Sequence, residues 1–217
     1  MKKFLLVLIV LAMSVAAQAN IITYSDSVTG LFDLVPDTDL LVSQFDSSLG
    51  TLNSVTITFY TALQGSLGFE NLKQFGGNFS ISTNNIYAAV VIGGGICASN
   101  YNDNQMYTAT LGAYDGTTDY AGTSGTILAT YSDSDTMPFF FNTPDSMAQF
   151  LGTGNMTFTT QTFSMMSLGL PTNSEAAINT TGQASVTISY DYTPVPEPAT
   201  IAILSLGGLF LFKRKTA

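Results

Sequence analysis

The stretch Ala184-Ser185-Val186-Thr187-Ile188-Ser189-Tyr190-Asp191-Tyr192 decides the fold class. Val186, Ile188, Tyr190 and Tyr192 recur at every second position, with Thr187, Ser189 and Asp191 between them. Strand side chains point alternately to opposite faces, so this spacing makes one apolar face and one polar face; on a helix it would scatter the apolar groups around the axis. The same period of two sets Val55, Ile57 and Phe59 against Thr56, Thr58 and Tyr60, and it returns in residues 79–83 and 156–160. Residues 86–92 form a continuous apolar run, which predicts a strand covered on both faces, and residues 127–131 predict another strand. Turn signals separate these runs: Gly76-Gly77-Asn78, Gly93-Gly94-Gly95, Asp115-Gly116 and Gly152-Thr153-Gly154-Asn155. Many short strands with frequent turns predict an all-β chain, an antiparallel β-sandwich or jelly-roll-like single domain. No long segment has helical period; one helical turn is expected near residues 145–151, capped by Asp145 or Ser146. The polar, Tyr-rich residues 101–120 read as a long loop or an irregular hairpin.

Outward from this body, composition narrows the function. The 217 residues suit one domain. The mean hydropathy of +0.29 is carried largely by two apolar terminal segments. Residues 20–193 hold fourteen of the fifteen acidic residues and, in Lys73, one of the six basic ones, a net charge of −13 against −9 for the whole chain. Nucleic-acid binding relies on Lys and Arg neutralising phosphates, so a nucleic-acid partner is excluded. Abundant aromatic and β-branched residues argue for a packed core over acidic disorder. The single cysteine, Cys97, permits no intramolecular disulfide and reads as a buried, inert thiol at the end of the apolar run.

The two ends read as addresses. Met1-Lys2-Lys3, apolar residues 4–17 and Ala17-Gln18-Ala19 form a basic region, a short apolar core and an A-x-A site. Residues 1–19 are therefore expected to be a signal peptide, cut by signal peptidase after Ala19 with Ala17 and Ala19 as the recognised small residues. Residues 194–217 contain Pro194-Val195-Pro196-Glu197-Pro198-Ala199-Thr200, an apolar segment over 201–212, and Lys213-Arg214-Lys215. The prolines make a stiff extended spacer, the apolar segment a short hydrophobic helix, and the basic tail a cytoplasmic anchor.

This C-terminal order resembles the PEP-CTERM sorting signal of Gram-negative bacteria, with Pro196, Glu197 and Pro198 as its motif. The resemblance implies processing by an exosortase-type membrane sorting protease. It also implies transient inner-membrane anchoring, then transfer to the cell surface or release, in hosts that make extracellular polysaccharide. The body resembles the choice-of-anchor E-type domains. That likeness rests on residues 45–52 leading into the strand at 55–59, on residues 150–158, on residues 184–192 running into the sorting signal, and more loosely on the Gly- and Asp-rich residues 114–125. It implies an exported β-rich domain over residues 20–193 and transfers no activity.

The residues for chemistry are few. The chain has no histidine, which removes Ser-His-Asp and Cys-His catalysis, and with one cysteine no Cys- or His-based zinc site can be built. No cofactor is expected. Calcium, which prefers carboxylate and carbonyl oxygens, is the one ion the acids suggest, at Asp115 and Asp119 or at the D-x-D pair Asp133 and Asp135 in expected loops. Solvated turn carboxylates are the plainer reading of the same residues. Tyr101, Tyr107, Tyr114 and Tyr120 lie close in sequence and could stack on sugar rings, or simply pack on the sandwich. The expectation is a non-catalytic cell-surface or extracellular-matrix protein. The alternatives are a carbohydrate-binding or adhesive module, calcium-dependent or not and directed at extracellular polysaccharide, and, more remotely, a hydrolase with paired carboxylates.

Overall fold

A computed structural model describes residues 19–31, 37–92 and 96–195. The strands are β1 (Asn20–Leu31), β2 (Thr38–Ser43), β3 (Gly50–Asn71), β4 (Gly77–Ile92), β5 (Cys97–Asp103), β6 (Met106–Leu111), β7 (Gly125–Phe141), β8 (Asn155–Gly169) and β9 (Ser174–Pro194), with a short helix α1 (Pro144–Met147) before β8. One sheet has the order β1-β9-β3-β7, and the other β2-β8-β4-β5, with β6 also on β4. Every pairing between named strands is antiparallel. Strands β5 and β6 lie in turn along β4, so they act as one interrupted edge strand. Counted that way, the pairing is nested: first strand with last, second with next to last, and so inward to β4 with β5 and β6. That is the strand order of a jelly roll.

The alternation read from the sequence sets the register. Strands β3 and β9 pair from Gly50 opposite Pro194 to Asn71 opposite Ser174, which places Val55 beside Tyr190, Ile57 beside Ile188 and Phe59 beside Val186. All six face inward, at most 4% exposed, and join Leu40, Val42, Phe45, Val90, Ile92 and Phe150 in one core between the sheets. Burying a side chain of this size contributes about 1.5–3 kcal/mol. A one-residue slip would turn Thr187 and Ser189 into the core and Val186 and Ile188 to solvent, so the register is strongly specified. A smaller cluster of Phe69, Phe79, Ile81 and Leu111 fills one end. Ala88, Ala89, Val90 and Ile92 are all buried, as expected of a central strand.

Several expectations are corrected. Residues 101–103 and 106–111 are strand, as the end of β5 and all of β6, and the expected long loop begins only at 112 and runs to 124. Asp133 and Asp135 lie in mid-strand on β7, so this D-x-D pair is not in a loop. The helical turn is capped by Thr143, with Pro144 opening the helix and the Ser146 hydroxyl accepting the Thr143 N–H at 3.3 Å. Neither Asp145 nor Ser146 is the cap, because proline tolerates the first helical position and pushes the cap one residue earlier.

The inward acids on the edge strands have a shared task. Asp26 on β1 accepts the Leu41 N–H of β2 at 2.8 Å, and Asp133 on β7 accepts the Asn100 N–H of β5 at 2.9 Å. On both open sides of the sandwich a carboxylate thus ties the edge of one sheet to the edge of the other. Residues 17, 196–198 and 213–215, with Ala17, Pro196, Glu197, Pro198, Lys213, Arg214 and Lys215, lie outside the described residues. Ala19 directly precedes β1.

Candidate functional site

Because β1, β9, β3 and β7 pair in register, their outward residues form rows across the sheet. Ser27, Ser185, Tyr60 and Thr136 make one row, Thr29, Gln183, Ala62 and Ser134 the next, and Thr181, Gln64 and Ser132 a third. Ser66, Asn179 and Thr130 follow, and toward the other end come Ser25, Thr187, Thr58 and Pro138, then Thr23, Ser189, Thr56 and the exposed Phe140. Inward neighbours such as Phe59, Leu63, Ala184 and Val186 fix this parity by their burial. No charged side chain occurs on this face between the row of Thr23 and the row of Ser66, although the domain carries −13 overall.

The face is hollowed at its centre. A trough of about 600 Å³ is lined by Tyr60, Ala62, Gln64, Ser132, Ser134, Thr181 and Gln183, with Thr29 and Gly30 at the β1 rim and Asp133 at the β7 rim. A second hollow of about 450 Å³ adjoins it, sharing Gln64, Ser132 and Thr181 and adding Ser66, Thr130 and Asn179. The floor is low because Ala62 is small and because β1 bulges between Thr29 and Leu31. The side chains of Gln64, Gln183, Ser132, Ser134 and Thr181 make no hydrogen bond with another described residue. By contrast Gln44, Gln149 and Gln161 each donate within the fold, to the Gln149 carbonyl, the Ser146 carbonyl and Asp37.

One end of the face is walled by the loop over 112–124. Tyr120 lies over Gly68, where an added Cβ would meet the ring. Its N–H donates to Glu70 Oε2 at 2.8 Å and its hydroxyl to Glu175 Oε1 at 3.2 Å. Glu70 and Glu175 stand opposite each other on β3 and β9. Glu70 is fully buried beneath the loop and its Oε1 has no hydrogen-bond partner. Asn71 beside it ties the same loop down, donating to the Phe75 and Gly112 carbonyls at 3.1 and 2.7 Å. The sequence offers Glu70 and Glu175 as separate acids; their pairing needs the β3–β9 register. Sealed from solvent, Glu70 is out of reach of a substrate.

The residues singled out for calcium are not brought together. Asp115 accepts the Thr117 N–H and hydroxyl at 3.1 and 3.0 Å, and these bonds hold its carboxyl below the usual range. Asp119 accepts the Ala121 N–H at 3.0 Å. Asp133 clasps β5, and Asp135 lies 3.7 Å from the Cys97 Sγ while accepting the Thr136 N–H. Among the described residues, no three metal-ligating side chains gather. The four tyrosines disperse as well. Tyr101 stacks on Tyr131 at 4.4 Å, Tyr107 packs on the smaller cluster, Tyr114 meets Thr118, and Tyr120 covers Gly68. Cys97 is buried as expected, and burial pushes its thiol up. Lys73 lies over the rings of Phe75 and Phe79.

No protein-family model and no curated protein matches the chain. Among solved structures it is similar to that of Mud crab tombus-like virus, at 8% identity over 86% of this chain and 87% of that one, with a TM-score of 0.24. It is also similar to the giant freshwater prawn Macrobrachium rosenbergii nodavirus semi-empty VLP, at 10% identity over 83% and 96% with a TM-score of 0.23. A third is the T13 infectious bursal disease virus particle, at 11% identity over 84% of this chain but only 41% of that one, with a TM-score of 0.21. Likenesses this slight bear neither on the fold, which rests on the strand pairing above, nor on function.

Proposed function

We propose that this chain is a non-catalytic protein of the bacterial cell surface or extracellular matrix, exported by its N-terminal signal and sorted through its PEP-type C-terminal signal. The observation that supports the reading is one folded domain whose strands fill the span between the two expected addresses. The paired strands begin at Asn20, directly after the A-x-A site, and close at Pro194, where the Pro-Glu-Pro spacer starts. Cleavage after Ala19 by signal peptidase leaves all of β1 in the mature protein. The spacer holds the domain away from the bilayer while an exosortase-type protease acts on the motif.

A non-catalytic role is supported by what the carboxylates do. Asp115, Asp119 and Asp133 are spent as acceptors of backbone N–H groups, and Glu70 is sealed under a loop. The test is Glu197→Ala in the native host. The expected result is full-length protein trapped in the inner-membrane fraction, with wild-type protein at the surface and its tail removed. Surface display of a processed Glu197→Ala protein overturns the sorting reading.

A further inference from the structure

We propose that the trough on the β1-β9-β3-β7 face, whose one charged lining residue, Asp133, stands at the β7 rim and is turned toward β5, binds a neutral polysaccharide chain, with Tyr60 as the stacking platform and Gln64 and Gln183 as the hydroxyl-reading amides. For its biological access to such a polymer this rests on the exported reading above; the binding itself does not.

The ligand class follows from elimination and from fit. An anionic polymer would meet the field of a body at −13, with no base on this face to pair with. A lipid surface requires a broad apolar patch, and here the exposed apolar side chain Phe140 stands alone in the row of Thr23, away from a trough lined mainly by hydroxyls and amides. An extended peptide adds to an open sheet edge, and both edges here are clasped by Asp26 and Asp133. A neutral sugar chain remains, and each of its needs has a counterpart. The half-buried Tyr60 lines the trough, and its ring supplies a flat apolar surface suited to the C–H face of a pyranose, with a hydroxyl at its tip. Gln64 and Gln183 flank Ala62, and each amide both donates and accepts, which suits adjacent sugar hydroxyls. These amides carry no hydrogen bond within the fold, so a ligand meets them without displacing a partner. The trough continues into the second hollow past Gln64, giving room along a chain for more than one sugar unit.

The experiment is a pull-down of purified full-length protein on insoluble cellulose, curdlan and mannan, with alginate beads as the anionic comparison. Saturable binding to at least one neutral polymer and none to alginate is expected. Tyr60→Ala should weaken it about tenfold, the scale of a lost aromatic contact. Gln183→Glu, which places a charge in the trough, should weaken it as far. Thr157→Gln on the outer face of β8 should leave it unchanged. Failure to bind any of the neutral polymers overturns the proposal, as does binding that survives both trough variants. If instead the protein forms dimers in solution that Gln183→Glu dissolves, the face belongs to a second copy of the chain and the glycan assignment is wrong. None of these outcomes depends on where the cell sends the protein, so the sorting test fails or passes separately.

Discussion

Tyr190→Phe tests the packing of the decisive strand by removing one atom. The Tyr190 side chain is fully buried, its ring 5.6 Å from that of Phe45 and 6.1 Å from that of Tyr24, and its hydroxyl donates to the Ser43 carbonyl at 2.9 Å. The variant keeps the ring contacts and takes the donor from a buried carbonyl at the end of β2. The loss should be about 1–2 kcal/mol, between a net hydrogen bond and the full desolvation of an orphaned acceptor. For a domain of this size that lowers Tm by about 3–6 °C. A second signature lies at alkaline pH. Burial first, and the neighbouring Tyr24 second, push the Tyr190 phenol from its ordinary 10.0 to about 12. A raised pKa means that the fold favours the neutral phenol. Its contribution is therefore fully present below pH 10 and is lost as the pH rises toward 12. Urea unfolding followed by circular dichroism across this range should show a gap between wild type and variant that is flat near neutrality and narrows between those two values. A neutral-pH gap below about 0.5 kcal/mol, the scale of an inert surface change, would refute the packing account. A gap that stays constant through the alkaline range would refute the buried phenol.

Other perturbations follow from single contacts. Gly65→Ala would drive a Cβ into the Asn179 carbonyl and the Tyr131 hydroxyl, so urea unfolding should show a loss of about 1–3 kcal/mol or more. Cys97, 1% exposed, should react with a thiol reagent only as fast as the domain opens, at a rate that rises with urea; immediate labelling of native protein would contradict its burial. Asp115 has its carboxyl pKa held below the ordinary 3.8 by its bonds from Thr117, so its contribution is present above that value and lost as the pH falls through the folded one. The Tm difference between wild type and Asp115→Asn should accordingly shrink in acid. Glu70→Ala removes the acceptor of the Tyr120 N–H, and hydrogen exchange at that amide should quicken about tenfold or more while exchange in β3 and β9 near Val55 and Tyr190 holds.

What could be read beforehand was whatever burial writes into one short stretch. The alternation at Val55–Ile57–Phe59 and Val186–Ile188–Tyr190 is imposed by one buried face, so it marks the strands and their inward sides without any knowledge of partners. β5 and β6 were harder, since an interrupted edge strand keeps polar groups such as Asn100 and Asn102 that resemble loop residues. Asp133 and Asp135 misled for a related reason. Aspartate is a poor strand former and signals a turn, yet here the edge of β7 needs an inward acceptor for the Asn100 N–H. The trough was legible only in half. The outward series Tyr60, Ala62 and Gln64 is visible in the sequence, but its union with Thr181 and Gln183 spans more than a hundred residues and exists only through the β3–β9 register. The tyrosines fail in the opposite way: they are neighbours in sequence that the folded chain sends to different places.

The distribution of charge joins the stability of this domain to the use of its surface. An antiparallel sandwich has two open sides, and unpaired edge strands there invite another chain to add itself. Asp26 and Asp133 answer this on both sides, each a carboxylate turned inward to hold the N–H of the facing edge. Other acids occupy the loop over residues 112–124 and the outer positions of β2, where Asp39 accepts from Thr159. With the acids placed there, self-repulsion keeps copies of the domain apart, and the neutral rows from Thr23 to Ser66 need no charge for solubility. A charge at Gln64 or Gln183 would be harmless to the fold, since both side chains point outward and engage nothing within it. The absence of charge there answers no folding constraint, and it is the feature on which the proposed contact with a neutral, hydroxyl-rich polymer rests.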